Sequence, residues 1–225
     1  MDIMLKGKKV LITSGGTLEK WDNVRGHTNL SKGMMGCYLA EAALAAGAEV
    51  IYMHGYFAKL PNGKEHMRIV PFEGIVDLGD KLKDIVQAEK VDVVIMAVAG
   101  SDWLVDKVFD PQGNEIMDKG KMPSDEPPTI KFKKAPKILS QIKTWAPNTT
   151  LVGFKLEATD DVNELLGRAK IRMESSNATL MVANSSKSLY GGGEPHFILF
   201  KDGNFKQTDG KQGTALELIE ILSRI

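Results

Sequence analysis

The sequence predicts an α/β protein: a Rossmann-like, doubly wound, mainly parallel sheet with a small antiparallel extension. Three observations carry this prediction. Short apolar runs of strand length, at 10–12, 48–53, 91–98, 150–154 and 178–183, are separated by longer segments with apolar residues at helical spacing. Those runs are continuously apolar, as suits strands covered on both faces. The first stops at Thr13-Ser14-Gly15-Gly16-Thr17, where two glycines let the backbone come close to a ligand without Cβ obstruction.

Composition narrows the class. The 225 residues, 43% hydrophobic and 26% charged, can enclose a sizeable core and read as one domain over 1–225. Lys+Arg and Asp+Glu number 29 each, so no net charge recruits nucleic acid or an anionic membrane. The single cysteine, Cys37, allows no intrachain disulfide, suits a cytoplasmic protein, and reads as small core filling. No apolar run approaches the roughly 20 residues that span a bilayer, and residues 1–6 lack the apolar core of a secretory leader.

Taken in order, residues 8–13 form the first strand, and residues 18–28, too polar for a strand, a loop over the ligand side. Met35, Leu39, Ala42, Ala43 and Ala46 give a helical stripe over 34–46, ended by Gly47. Strands follow at 48–53 and 66–71, a helix at 76–88, and a central strand at 91–98. Periodicity disappears between 104 and 126, so residues 104–128 are read as a flexible active-site loop. Residues 129–133 alternate like a half-exposed strand and are expected, with 196–207, to make the antiparallel extension of the sheet, and Pro136 opens a helix carrying Ile138, Leu139 and Ile142. A strand at 150–154, a helix at 162–174 and a strand at 178–183 continue the alternation. Residues 196–200 and 204–207 flank Asp202 and Gly203 as a hairpin, and 214–224 is a C-terminal helix.

The loops at the strand ends carry the chemistry. In an open parallel sheet these loops surround one crevice although they are distant in sequence. A dinucleotide site is the first expectation, but the Gly-x-Gly-x-x-Gly fingerprint is absent, and Met53-His54-Gly55 stands where a ribose-binding acid should end the second strand. A Tyr-x-x-x-Lys pair is also missing, since Leu60 lies four residues after Tyr56. His27, His54, His66 and His196 are too scattered for a structural zinc site. Two alternatives stay open: an NAD(P)-dependent reductase, and a non-catalytic nucleotide- or nucleic-acid-binding module using the seven lysines between 119 and 143.

The motifs together are more specific. Thr13-Ser-Gly-Gly-Thr17, Glu19, Asp22-x-Val-Arg25 and Thr28-Asn-x-Ser31-x-Gly33-x-x-Gly36 are followed by Met96-Ala-x-Ala99 and Ser101-Asp-Trp103. Gly120-Lys121, Ala135-Pro-Lys-Ile138, Val152-Gly-Phe-x-x-Glu157 and Val182-Ala-Asn184 complete the series. Over nearly the whole chain this resembles the phosphopantothenate–cysteine ligase (phosphopantothenoylcysteine synthetase) family, in a monofunctional bacterial form without the flavin-dependent decarboxylase.

The resemblance implies a ligase of coenzyme A biosynthesis. The carboxylate of 4′-phosphopantothenate attacks the α-phosphate of a nucleoside triphosphate, and cysteine then displaces the nucleoside monophosphate to form an amide. Gly15, Gly16, Thr17, Ser31, Gly33 and Gly36 match nucleotide-phosphate loops, and Phe154 and Asn184 match base and ribose contacts. Asn29 matches the residue orienting the acyl anhydride, and Lys121 a loop lysine promoting the first step, with Lys119 as the alternative. Arg25 matches an arginine reaching substrate across a homodimer, while Ala99 and Asp102 line the pantothenate side. Mg²⁺ would accompany the triphosphate, CTP being favoured and ATP the alternative. Relatives carry a lysine two residues after the position of Lys32, so Lys32 receives no role.

Overall fold

The computed structural model describes residues 4–117, 120–189 and 193–225. Its main sheet is assembled from β1 (Lys9–Ser14), β4 (Glu49–His54), β5 (Arg68–Pro71), β6 (Val93–Met96), β9 (Thr150–Glu157), β10 (Leu180–Ser185), β11 (Pro195–Phe200) and β12 (Phe205–Asp209). Two ribbons stand apart from it, β2 (Leu18–Lys20) with β3 (Gly26–Thr28), and β7 (Trp103–Phe109) with β8 (Thr129–Lys134). The helices are α1 (Met34–Ala45), α2 (Ile75–Ala88), α3 (Ile142–Trp145), α4 (Val162–Ser176) and α5 (Gly210–Leu222).

The sheet order is β12-β11-β10-β9-β6-β1-β4-β5, parallel from β5 to β10 and antiparallel at β11 and β12. Successive side chains on a strand face opposite ways. Leu11 therefore joins a core with α2, α3 and α4, while Val10 and Ile12 join another with α1 and α5. This three-layer arrangement buries both faces of the central strands, which accordingly carry continuous apolar runs such as Val10–Ile12 and Val93–Met96. Chain connectivity reverses direction between β1 and β6, and loops leaving the carboxyl ends of those neighbouring strands open a crevice.

The doubly wound sheet agrees with the prediction, and four local expectations are corrected. Residues 18–28 form the β2–β3 ribbon and not a plain loop. Residues 104–109, expected to be irregular, belong to β7, which pairs with β8 over Trp103–Phe109. The segment at 129–133 therefore lies outside the main sheet, which is extended only by β11 and β12. The helix expected after Pro136 is a 3₁₀ turn, Ile138–Ser140, followed by the four-residue α3.

Candidate active site

The site is built from backbone outward. β1 ends at Ser14, and Gly15 turns the chain with φ 84°, a conformation that costs glycine little. The turn is bonded to the loop after β6: Ala99 N–H donates to Gly15 O at 2.8 Å and Thr17 N–H to Ala99 O at 3.3 Å. Thr17 is fully buried, and its Oγ1 accepts from Ser101 N–H at 2.9 Å. A Cβ on Gly16 would stand 2.5 Å from the carbonyl oxygen of Asn29. The close approach that this glycine permits is thus to the chain's own next loop.

Asn29 completes the junction. Its Nδ2 donates to Ala99 O at 3.0 Å and to Gly100 O at 3.1 Å. The two carbonyls fix the amide's orientation, since only the nitrogen end can donate to both. Its Oδ1 is left as an acceptor on an exposed residue at the mouth of the crevice. Three loops, 15–17, 29–33 and 99–101, are thereby joined by hydrogen bonds at one place.

Beside them, α1 begins without a side-chain cap. Gly33 is its N-cap at φ 75°, no acidic residue occupies the first turn, and Ser31 Oγ accepts from Gly33 N–H at 3.4 Å. Unsatisfied N–H groups and the positive end of the helix dipole favour an anion. Gly36 packs directly on Ser14, whose Oγ donates to Gly33 O at 3.0 Å. The Tyr52 hydroxyl lies 2.8 Å from Ser14 Oγ and 2.9 Å from Lys59 O, and Cys37 Sγ 3.2 Å from the same carbonyl. Burial pushes up both the Tyr52 phenol and the Cys37 thiol, so this network remains neutral at ordinary pH. Cys37 is buried, in keeping with core filling.

Arg25 lies on the segment leading to Asn29. Its Nε donates to Asp22 Oδ2 at 3.0 Å and its Nη2 to Met122 O at 2.6 Å. Burial works to raise the Asp22 carboxyl. Backbone N–H groups of Val24, Arg25 and Met122, with the Arg25 guanidinium, outweigh it and hold the carboxyl at about 2. Lys121 is exposed and adjoins the buried Met122. Its alternative, Lys119, falls outside the described residues.

The remaining predicted residues lie on and beside neighbouring strands. Asp102 is exposed and ion-paired with Lys137, and its carbonyl accepts from Ala135 N–H at 3.0 Å. Phe154 is half-buried in the middle of β9, opposite Val182, and packs on the core shared with α1 and α5. Asn184 pairs with Leu156 in register, and its Nδ2 donates to Ser188 Oγ at 2.6 Å. Lys32 is exposed, and its carbonyl accepts from Lys59 N–H at 3.0 Å.

Sequence reasoning passed over several participants. Glu19 is buried, and its Oε1 accepts from Ile75 N–H at 2.8 Å, capping α2 from another element. His27 Nε2 lies 3.3 Å from both Ser101 Oγ and Trp103 O, and its ring meets Phe132 edge-on at 4.9 Å. Glu19 and Lys137 fall within the sequence motifs without a role assigned by them, and His27 falls in none; only the fold brings their partners to them.

A cavity of about 740 Å³, lined by residues including Tyr56, Phe72 and Asp77, opens beside β5 and α2, to one side of the Asn29 junction. Gly15, Gly16, Asn29 and Ala99 are not among the residues that line it. Among the described residues, no group of three or more His, Cys, Asp or Glu side chains could hold a metal ion. No helix among them is long and apolar enough to cross a membrane.

Comparison with known proteins bears on this geometry. Residues 5–224 match the family model described as "DNA/pantothenate metabolism flavoprotein C-terminal domain". The chain is 32% identical over 195 residues to the Coenzyme A biosynthesis bifunctional protein CoaBC of Thermococcus kodakarensis, covering 87% of this chain and 45% of that protein. It is 33% identical over 207 residues to the protein of the same name from Bacillus subtilis, covering 90% and 47%. It thus spans about half the length of these curated relatives. The crystal structure of the DNA/pantothenate metabolism flavoprotein from Streptococcus pneumoniae superposes with a TM-score of 0.87 at 27% identity, covering 97% of this chain and 99% of that one.

Proposed function

The chain belongs to the family of DNA/pantothenate metabolism flavoprotein C-terminal domains, and from that premise we propose that it is a ligase of coenzyme A biosynthesis. It joins 4′-phosphopantothenate to L-cysteine through an acyl-nucleotidyl intermediate, with CTP as the preferred triphosphate and a homodimer as the working form. The observation that carries this reading is the junction at Asn29. One amide bridges the Ala99 and Gly100 carbonyls beside the uncapped start of α1, so an acyl-group ligand and a polyanion could be held side by side.

The chemistry asks for this juxtaposition. A carboxylate resists attack by an amine until one of its oxygens becomes part of a good leaving group. Transfer of the nucleotidyl group supplies that group and releases pyrophosphate. Catalysis then rests on positioning and on stabilising phosphate charge. The N–H groups at the start of α1 and the hydroxyl of Ser31 receive the phosphates, with Gly33 and Gly36 allowing the helix to seat close to Ser14. Gly15 and Gly16 shape the floor, and Thr17 holds the Ser101 loop and takes no phosphate itself. Lys121 neutralises charge developing in the first step. Asn29 Oδ1 orients the anhydride for the cysteine amine, Ala99 and Asp102 border the pantothenate arm, and Phe154 and Asn184 border the base and ribose. Mg²⁺ would enter with the triphosphate, held mainly by phosphate oxygens and water.

Neither rival gains support. His54 ends β4 where a dinucleotide fold needs an acid. The lysine run is not one free basic face, since Lys133 and Lys137 pair with Asp106 and Asp102, and Lys143 donates to the carbonyls of Pro147 and Thr149. The test is to combine protein, Mg²⁺, triphosphate, phosphopantothenate and cysteine and to measure pyrophosphate. Release dependent on phosphopantothenate is expected; none with any triphosphate would refute the reading.

A further inference from the structure

Residue 122 is held more firmly than a loop residue needs to be. The Met122 N–H donates to Asp22 Oδ2 at 3.2 Å, its carbonyl accepts from Arg25 Nη2 at 2.6 Å, and its side chain is buried. Asp22 and Met122 are 100 residues apart, so no local turn explains the contact. The Asp22 side chain is itself fully buried. It accepts from Val24 N–H at 2.8 Å and Arg25 N–H at 2.6 Å, while Arg25 also donates to its Oδ2. One carboxylate therefore ties together a tight turn, a guanidinium and a distant strand of chain. An aspartate at its centre is needed for charge as well as shape, because a buried carboxylate with three N–H donors and a cation has every lone pair occupied.

The consequence concerns the neighbouring lysine. Lys121 precedes Met122, and Arg25 precedes Asn29 by four residues, about 13 Å of extended chain. Fixing residue 122 to the turn at 22–25 thus fixes the origin of the Lys121 side chain relative to Asn29. We propose that Asp22 is a positioning residue that, with Arg25, clips Met122 to the turn preceding β3 and so holds Lys121 at the crevice. Arg25 makes this clip inside its own chain. The proposal rests on the functional reading above only in giving Lys121 a task; the clip itself stands on geometry.

Two readouts test it. The Lys121–Met122 peptide bond is a trypsin site whose amide the clip engages, so its cleavage reports opening of the clip. In Asp22→Asn, cleavage at this bond, assigned by mass spectrometry, should rise by about tenfold or more while the folded state persists. Arg25→Gln, which leaves Asp22 and its own turn in place, should give a smaller rise and serves if the first variant fails to fold. Unchanged cleavage in both variants would overturn the clip. For the lysine, pyrophosphate release by Asp22→Asn should fall to the level of Lys121→Ala, and the double variant should be no slower than Lys121→Ala alone. Multiplying losses, or full activity in Lys121→Ala, would overturn the positioning role. Absence of pyrophosphate release by the parent protein would refute the ligase reading, and cleavage would still decide whether the clip exists.

Discussion

A methyl group added at Gly36 would overlap Ser14 Oγ and approach its Cα at 3.3 Å, where α1 lies on the end of β1. Gly36→Ala is therefore expected to destabilise the protein by about 1–3 kcal/mol, read from urea unfolding, because neither Ser14 nor the helix backbone can withdraw freely. At Asn29 the effect should fall on chemistry. An aspartate cannot donate to the Ala99 and Gly100 carbonyls and brings negative charge beside the acyl phosphate. Asn29→Asp should still release pyrophosphate yet stall before the amide, seen as nucleotidyl intermediate surviving a cysteine chase; normal turnover would remove Asn29 from that role. The Asp22 clip has a defined pH window. Its folded pKa of about 2 lies below the unfolded value near 3.9, so its stabilisation is fully present above pH 4 and is lost as pH falls toward 2. Cleavage after Lys121 by an acid-stable equivalent of the tryptic probe should consequently rise only below pH 4, and a rise near neutrality would contradict the assignment.

The elements differ in how plainly the sequence announces them. β1, β4, β6, β9 and β10 were readable because burial on both faces gives each of them a continuous apolar run. β7 was not: an irregularity between Val105 and Lys107 inserts Asp106 against one partner residue, which breaks the alternation that marks a strand. The β2–β3 ribbon is three residues per strand and partly polar, too short to carry a period. Its place is fixed from outside, by the buried Glu19 carboxylate at the start of α2. Glu19→Ala should leave the Ile75 N–H unpaired and cost about 1–3 kcal/mol in urea unfolding; a loss within 0.5 kcal/mol, about that of an ordinary surface change, would mean the cap is dispensable. The same limit applies to the site. Glycines and Asn29 stand in a motif, whereas Lys137, His27 and the Asp22–Met122 contact depend on residues far away in sequence.

At the scale of the whole molecule, the topology does the gathering. Reversal of connectivity between β1 and β6 brings residues 15–17, 29–33 and 99–101 together; backbone hydrogen bonds join Gly15 and Thr17 to Ala99, and the Asn29 side chain ties its loop to Ala99 and Gly100. The glycine pair looked in sequence like a bare phosphate cradle; in the fold those glycines admit the chain's own Ala58 and Asn29, and the anion-ready groups lie at α1. A crevice that pairs a helix N-terminus with an amide-fixed loop suits activation of a carboxylate by a nucleotide followed by amine capture. The most direct test is to incubate the protein with phosphopantothenate, Mg²⁺ and CTP, first without and then with cysteine, and to identify the products. A stoichiometric burst of pyrophosphate is expected before cysteine is added, then steady formation of amide and CMP in equal amounts. Formation of CDP and orthophosphate, or no phosphate product with any triphosphate, would contradict the acyl-nucleotidyl route.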